Sequence, residues 1–206
     1  MATSRKSVGA KISTAQKRQR PSLDFYATPV EDIEKMLKTI FATSVDNQHI
    51  KPLVLDPCAG NGAFKKAIKS VFPHWSVMQW DIVERNEKLD YVGDFLDREP
   101  HGEQFSMVMM NPPFGESMEF IQHAFKFLKP GGIVVAFLKL DFLASKKRYN
   151  GLFKDGNSLL QVWVNVSRVN CKYDGDGNDK QSSTTDSGWF IFQQGMPVVP
   201  QIQWLE

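Results

Sequence analysis

The sequence has few of the features that mark secreted, membrane or metal-binding proteins. Only two cysteines occur among its 206 residues, Cys58 and Cys171, which provide neither a disulfide framework nor the spacing of a metal site. No apolar run approaches the length of a transmembrane helix, and the N-terminus lacks the apolar core of a secretory signal. We therefore expect a soluble, cytoplasmic protein with no membrane partner and no metal.

Acidic residues are missing from residues 1–20, although this segment holds six basic residues: Arg5, Lys6, Lys11, Lys17, Arg18 and Arg20. Removing these six from the 25 basic residues leaves 19 against 23 acidic ones, so the rest of the chain has a net charge of −4. A polar segment without hydrophobic period cannot bury enough surface to order itself. We predict a disordered basic tail, either an arm that screens nucleic-acid phosphates or a solubilising leader.

The length predicts a single folded domain. With 206 residues, of which 42% are hydrophobic, the chain can build one α/β core but not that core and a sizeable second domain. We therefore assign residues 21–206 to one domain and expect no separate target-recognition domain.

Helical and strand-like patterns alternate along this domain. Thr28-Pro29-Val30-Glu31 has the form of a capping box with proline at the first helical position, and apolar residues follow at helical spacing, which predicts a helix over residues 29–42. Further helices are predicted over residues 63–71 and 118–128. Short apolar runs predict seven strands, at residues 52–56, 76–81, 89–92, 105–111, 133–138, 162–166 and 189–192. This alternation favours a mostly parallel sheet covered on both faces, with a ligand at the carboxyl ends of the strands.

Two motifs follow two of these predicted strands. The first is a glycine-rich turn, Asp56-Pro57-Cys58-Ala59-Gly60-Asn61-Gly62, where backbone can approach a nucleoside closely. It lacks the third glycine of a dinucleotide fingerprint and the lysine position of a P-loop. The second is Asn111-Pro112-Pro113-Phe114, which offers amide and carbonyl acceptors beside an aromatic ring. Such a tetrapeptide suits a planar amino group.

In this order the two motifs resemble those of the S-adenosylmethionine-dependent adenine amino-methyltransferases of nucleic acids, which carry a D-P-x-x-G-x-G turn and an N-P-P-F/Y tetrapeptide. The resemblance covers residues 25–192. Within this family, the sequence is similar to the small phage-type DNA adenine methyltransferases. It implies a Rossmann-like class I methyltransferase fold, with a mostly parallel seven-stranded sheet and an antiparallel C-terminal hairpin. It also implies S-adenosyl-L-methionine as the cofactor.

The same resemblance implies a set of cofactor contacts. Phe25-Tyr26-Ala27-Thr28-Pro29 has the form of the family's Y-x-T-P segment, which contacts the methionine end of the cofactor, although a helix cap explains Thr28 without a ligand. Asp81 has the place of a ribose-binding carboxylate, and Asp94-Phe95 has the place of the pair that holds the adenine. The cofactor-binding residues implied are Tyr26, Thr28, Asp56, Pro57, Gly60, Gly62, Asp81, Asp94, Phe95 and Asn111.

The tetrapeptide implies how the methyl group would be accepted. The lone pair of an adenine amino group is delocalised into the ring, so hydrogen-bond acceptors are needed to draw its two N–H groups. The Asn111 side-chain oxygen and the Pro112 carbonyl can do this, with Pro112 and Pro113 fixing the backbone and Phe114 stacking on the base. An activated sulfonium methyl then requires in-line attack and no general base.

Basic residues past the fifth predicted strand suggest a nucleic-acid contact. Lys146, Lys147 and Arg148 would lie on the rim where substrate enters, and Arg168 is a weaker candidate. A solvated helix face is the alternative explanation for them. We predict DNA as the substrate and leave three alternatives open: an RNA adenine, a protein glutamine, or a non-catalytic cofactor-binding subunit. The sequence does not predict the oligomeric state.

Overall fold

A mixed sheet of eight strands forms the centre of the structure. The computed structural model describes residues 26–41, 51–85, 88–102, 104–154, 158–173, 185–195 and 199–206. The basic tail predicted over residues 1–20 lies outside these ranges.

The secondary-structure elements follow the predicted alternation. The strands are β1 (Tyr26–Ala27), β2 (Leu53–Asp56), β3 (Ser76–Asp81), β4 (Tyr91–Val92), β5 (Phe105–Met110), β6 (Leu128–Lys139), β7 (Leu159–Asn165), β8 (Lys172–Tyr173), β9 (Ser187–Phe192) and β10 (Gln201–Leu205). The helices are α1 (Val30–Ile40), α2 (Ala63–Val71), α3 (Ser117–Ala124) and the short α4 (Lys146–Arg148), which continues as a π-helical turn over Tyr149–Phe153. Single 3-10 turns occupy Phe95–Asp97, Phe114–Glu116, Phe125–Phe127 and Leu140–Leu143.

The strand order in the large sheet is β10-β7-β9-β6-β5-β2-β3-β4. Strand β9 runs antiparallel to both of its neighbours, β6 and β7, whereas the other pairs in this sheet are parallel. A separate two-stranded sheet pairs β1 with β8. The predicted mostly parallel sheet and its antiparallel C-terminal hairpin, β7 with β9, are therefore confirmed.

Two apolar clusters cover the two faces of the sheet. Side chains alternate along β5, so Val108 and Met110 join one cluster with Phe120 of α3, whereas Met109 joins the other with Ile33 of α1. Full burial of one such side chain stabilises the fold by about 1.5–3 kcal/mol. This two-sided burial explains why the central strands read as continuous apolar runs in the sequence.

Helix α1 confirms the predicted period but not the predicted cap. Its buried residues, Ile33, Met36 and Leu37, recur at helical spacing. The N-cap is Pro29 rather than Thr28, and no side chain caps the helix. The predicted capping box is therefore wrong, because the Thr28 hydroxyl forms a hydrogen bond with the side chain of Asn111 instead.

Two further differences concern strands. The helix predicted over residues 118–128 ends at Ala124, and β6 begins at Leu128, before Pro130. A register shift in the pairing of β5 with β6 accommodates this early part of the strand. Strand β10 was not predicted, and it adds an eighth strand to the seven expected ones, parallel to β7.

Among the described residues, no helix combines the length and the apolar character needed to span a membrane.

Candidate active site

Polar residues at the carboxyl ends of three neighbouring strands form the candidate site. Asp56 ends β2, Asp81 ends β3, and Asn111 directly follows β5. Strand β2 pairs with both of the others in parallel, so these three ends lie side by side, about 5 Å from strand to strand. The topology thus brings together residues that are 55 positions apart in sequence.

The glycine-rich turn after β2 is fixed to the end of β3. The Gly60 N–H donates to Asp81 Oδ2 at 2.8 Å, and the Ala59 N–H donates to the Trp80 carbonyl at 3.0 Å. Gly60 has a φ of 57° and Gly62 a φ of 79°, backbone conformations that side chains with a Cβ rarely adopt. Both glycines are therefore required by the backbone conformation of the turn.

Asp56 is fully buried under this turn. Its Oδ1 accepts from the Cys58 N–H at 3.3 Å, but its Oδ2 has no hydrogen-bond partner among the described residues. Burial, together with the nearby Asp81 carboxyl, raises the pKa of Asp56 well above its ordinary range, and the Cys58 bond only partly opposes this. The site thus holds a buried carboxyl oxygen that has no hydrogen-bond partner among the described residues.

Asp81 is held by the protein itself. Besides the Gly60 bond, its Oδ1 accepts from the Val83 N–H at 3.2 Å and lies 3.4 Å from Nη1 of Arg85. A carboxylate offers about four acceptor positions, and these donors occupy three of them. A ribose contact through two hydrogen bonds therefore requires the long Arg85 contact to be released.

Asn111 is held at both its side chain and its backbone. Its Nδ2 donates to the Tyr26 carbonyl at 2.9 Å and to the Thr28 hydroxyl at 3.0 Å, and its own carbonyl accepts from the Cys58 thiol at 3.3 Å. Because a backbone carbonyl only accepts, the atom facing Tyr26 must be the amide nitrogen. Asn111 Oδ1 consequently points away from Tyr26, and it has no donor among the described residues.

The rest of the tetrapeptide forms a stiff corner. The Pro113 carbonyl accepts from the Glu116 N–H and the Ser117 hydroxyl, each at 3.0 Å, whereas no described donor reaches the Pro112 carbonyl. Phe114 is 45% exposed, and its ring centroid lies 6.1 Å from that of Tyr26. The corner therefore holds two acceptors without a described donor, Asn111 Oδ1 and the Pro112 carbonyl, together with an exposed aromatic ring.

Asp94 and Phe95 follow β4 at the same edge of the sheet. The Asp94 side chain caps the next 3-10 turn by accepting from the Leu96 N–H at 3.0 Å. The Phe95 ring is only 2% exposed and packs against the rings of Phe120 and Phe127. Core packing leaves little of the Phe95 surface available to a ligand. The contact between Phe95 and the adenine of the cofactor stays a prediction.

The basic residues predicted to contact nucleic acid differ in how strongly other protein groups already bind them. Arg148 donates to the carbonyls of Asp141, Phe142 and Ala144, at 2.6–2.9 Å, so a phosphate would compete with these bonds. Lys147 pairs with Glu119 at 2.7 Å, and Arg168 pairs with Asp186 at 3.3 Å. Lys146 is exposed at the start of α4. These four residues stay predicted contacts, with Lys146 the least engaged.

Sequence reasoning assigned no role to two side chains of the site. The Cys58 thiol joins the glycine turn to Asn111, and the Lys139 ammonium at the end of β6 lies 4.6 Å from the Phe114 ring centroid. Both residues lie at the ends of predicted strands, and this position could have indicated that they belong to the site. Their partners, however, are 53 and 25 positions away in the sequence.

The residues present fit S-adenosylmethionine, the cofactor implied by the resemblance. Its ammonium would give a charged donor to Asp56 Oδ2, which has no partner among the described residues. Among the described residues, no group of three or more histidine, cysteine or acidic side chains could hold a metal ion.

Comparisons with solved structures identify the fold. A protein of Listeria monocytogenes assigned to the class I S-adenosylmethionine-dependent methyltransferases superposes with a TM-score of 0.60 at 13% identity, over 87% of this chain and 65% of that one. The methyltransferase subunit of a type I restriction-modification system from Streptococcus thermophilus gives 0.60 at 15% identity, over 83% and 45%. A protein of Pyrococcus horikoshii assigned as an RNA methyltransferase gives 0.54 at 14% identity, over 78% and 84%.

These similarities concern the fold, because the identities are low and the chain spans only 65% and 45% of the first two structures. No protein-family model matches the sequence, and no curated protein sequence matches it. The chain has the Rossmann-like fold of the class I methyltransferases.

Proposed function

We propose that this chain is an S-adenosylmethionine-dependent methyltransferase that methylates the exocyclic amino nitrogen of adenine in DNA. The observation that carries the proposal is the pair of unused acceptors in the Asn-Pro-Pro-Phe corner. Asn111 Oδ1 and the Pro112 carbonyl have no described donor, and they lie in consecutive residues at the carboxyl edge of the sheet. An amino group brings two N–H donors, one for each.

These two acceptors would activate the amino group. Hydrogen bonds to both N–H groups draw electron density onto the nitrogen and move it towards tetrahedral geometry, so its lone pair becomes available for attack. When bound, S-adenosylmethionine supplies a methyl group already activated by a positively charged sulfur. Attack by the nitrogen lone pair would form an N–C bond as the C–S bond breaks, and the excess proton would leave the nitrogen for water.

Phe114 would hold the base while this happens. A target in a duplex must leave the stack at a cost of a few kcal/mol, and stacking on an aromatic ring returns about 1–3 kcal/mol. The 45% exposure of Phe114 leaves ring surface for this contact. Lys139 beside that ring places a positive charge where the phosphate backbone of a nucleic acid would approach.

The substrate class is tested by transfer of a radiolabelled methyl group from the cofactor to DNA, RNA and protein in parallel assays. We expect label in DNA, and digestion to nucleosides should place it on adenine. Label in RNA or in protein glutamine would replace the DNA assignment by the corresponding alternative. No transfer to any of the three would favour a non-catalytic cofactor-binding subunit.

The catalytic assignment is tested by Asn111→Ala. We expect methyl transfer to fall at least about 10²–10³-fold, because one acceptor for the reacting amino group is lost, whereas cofactor affinity measured by calorimetry stays within about threefold. The matched control is Gln104→Ala, which removes an exposed amide beside the opposite end of β5. Full activity of Asn111→Ala would refute the role of the corner.

A further inference from the structure

The orientation of the Asn111 amide decides whether the corner can accept a hydrogen bond. A rotated amide would present Nδ2 to the substrate, and a donor facing the donors of an amino group repels them. The Tyr26 carbonyl, 2.9 Å from Nδ2, can only accept and therefore opposes this rotation, and the Thr28 hydroxyl at 3.0 Å gives Nδ2 a second acceptor. The Tyr26 contact uses backbone, so Thr28 is the member of the pair whose role a substitution can probe.

Thr28 is buried for this contact rather than for the helix that follows. It is 4% exposed, and helix α1 makes no use of its side chain as a cap. Burial raises the pKa of the nearby Cys171 thiol to about 11, and the Thr28 hydroxyl opposes this shift. The Thr28 oxygen accepts from Asn111 Nδ2 at 3.0 Å.

The short sheet of β1 and β8 explains how this cluster forms. Tyr26 pairs with Tyr173 and Ala27 with Lys172, so Thr28 follows the end of β1 just as Cys171 precedes the start of β8. In an antiparallel pair these two positions face each other. The small sheet therefore holds Thr28 against the tetrapeptide, 83 positions away in the sequence.

We propose that Thr28 is a positioning residue that locks the Asn111 amide with its oxygen towards the substrate, an inference that rests on the proposed function. Thr28 then acts on the reaction through Asn111 and makes no direct contact with the cofactor. This differs from the cofactor contact that the sequence resemblance implied for it. The two roles predict opposite kinetic effects of removing the hydroxyl.

The test compares Thr28→Val, which keeps the shape of the side chain without its hydroxyl, with Thr28→Ser, which keeps the hydroxyl. We expect Thr28→Val to lower kcat about tenfold, with the KM for DNA and the cofactor affinity within about twofold of the wild-type protein. Thr28→Ser should retain most of the wild-type kcat. The matched control is Thr39→Val, which removes a hydroxyl bonded to the Lys35 carbonyl at 2.9 Å on the exposed side of α1.

A second measurement reads the amide without turnover. The side-chain amide resonance of Asn111, observed by ¹⁵N NMR in the full chain, should shift in Thr28→Val and not in Thr39→Val. Thr28→Ala serves the same comparison if the valine variant folds poorly.

Three results would overturn the inference: wild-type kcat in Thr28→Val, an equal loss of kcat in Thr28→Ser, or a weakened cofactor affinity at unchanged kcat. An inactive wild-type protein would instead contradict the proposed function, and the amide resonance would still report on the lock.

Discussion

At the scale of single residues, the site depends on which atoms accept and which donate. Asn111 uses both hydrogens of its amide on protein acceptors, which leaves its oxygen for a ligand. An aspartate of the same shape could not donate to the Tyr26 carbonyl and would place a second acceptor against it. The structure thus gives a physical reason for an amide, rather than a carboxylate, at this position.

Asp56 gives a residue-scale prediction about stability and pH. Burial raises the pKa of its carboxyl, so the neutral form is favoured in the folded protein. A raised folded-state pKa means that the group's contribution to stability is complete below its unfolded-state pKa of about 3.9 and is lost as the pH rises through the folded-state pKa. Asp56→Asn cannot ionise, so its free energy of unfolding should fall less than that of the wild-type protein as the pH rises above the unfolded-state pKa.

Urea unfolding of the cofactor-free proteins at several pH values measures this difference. Asp141→Asn, which alters an exposed carboxyl, is the control and should follow the wild-type curve. Cofactor affinity should decrease in Asp56→Asn. The asparagine side chain has an NH2 group in place of one carboxylate oxygen, so it loses an acceptor that the cofactor's ammonium would need. Parallel pH curves for Asp56→Asn and the wild-type protein would show that Asp56 is not buried as described.

At the scale of elements, close packing of strands determines what the antiparallel part of the sheet tolerates. Gly188 lies in β9, between β6 and β7, and a Cβ there would come within 2.8 Å of the Trp163 carbonyl oxygen and 3.1 Å of Leu140 Cδ2. Backbone atoms of a central strand cannot move away easily. We expect Gly188→Ala to lower the free energy of unfolding by about 1–3 kcal/mol, measured by urea denaturation.

Gly115→Ala is the matched control for this prediction. No heavy atom lies within 4 Å of a Cβ built at Gly115, which belongs to the exposed 3-10 turn Phe114–Glu116. Its effect on stability should stay within about 0.5 kcal/mol. Equal stability of the two variants would mean that β7 and β9 are packed less closely than the structure shows.

At the scale of the whole molecule, net charge decides how strongly a polyanion is attracted. Outside the basic tail the chain has a net charge of −4, so attraction of a polyanion depends on a few local positive charges. Lys139 ends β6 at the site, where its ammonium lies against the Phe114 ring. Lys139→Met should weaken DNA binding about 3–10-fold at about 0.1 M salt and reduce the salt slope by about one.

Lys129→Met provides the control on the same strand. Lys129 is exposed near the amino end of β6, at the opposite edge of the sheet, so the same change in net charge occurs far from the site. Titrations of labelled DNA at several salt concentrations should separate the two variants. Equal weakening by both substitutions would indicate a general charge effect and no contact at Lys139.

Local sequence patterns were sufficient for much of the fold. Helix α2 has the predicted bounds. The glycine turn fixes where the helix begins, and the spacing of its apolar residues fixes which face is buried. Most of the seven predicted strands bury apolar residues in a continuous or alternating run, whereas β4 has Val92 51% exposed. Strand β10 was missed because Ile202 and Trp204 are more than half exposed, so burial gives it no clear pattern.

Thr28 forms a contact that local sequence patterns do not predict. A Thr-Pro-x-Glu pattern before an apolar period satisfies every local criterion of a helix cap, yet the hydroxyl bonds Asn111 instead. Local propensity is worth about 1 kcal/mol, and a buried donor without an acceptor costs as much or more. The contact with the distant Asn111 is therefore preferred, and no residue near Thr28 in the sequence indicates it.

The sequence by itself determined the strand and helix alternation, the two glycines of the turn and the chemistry available at Asn111 to Phe114, because these depend on residues close along the chain. Only the tertiary structure decided which way the Asn111 amide points, that Asp56 has an unpaired oxygen, and that Lys139 lies on Phe114. Those facts depend on neighbouring strand ends and on the β1–β8 sheet. Hydrogen bonding and burial act between atoms that are close in space, whatever their separation in sequence.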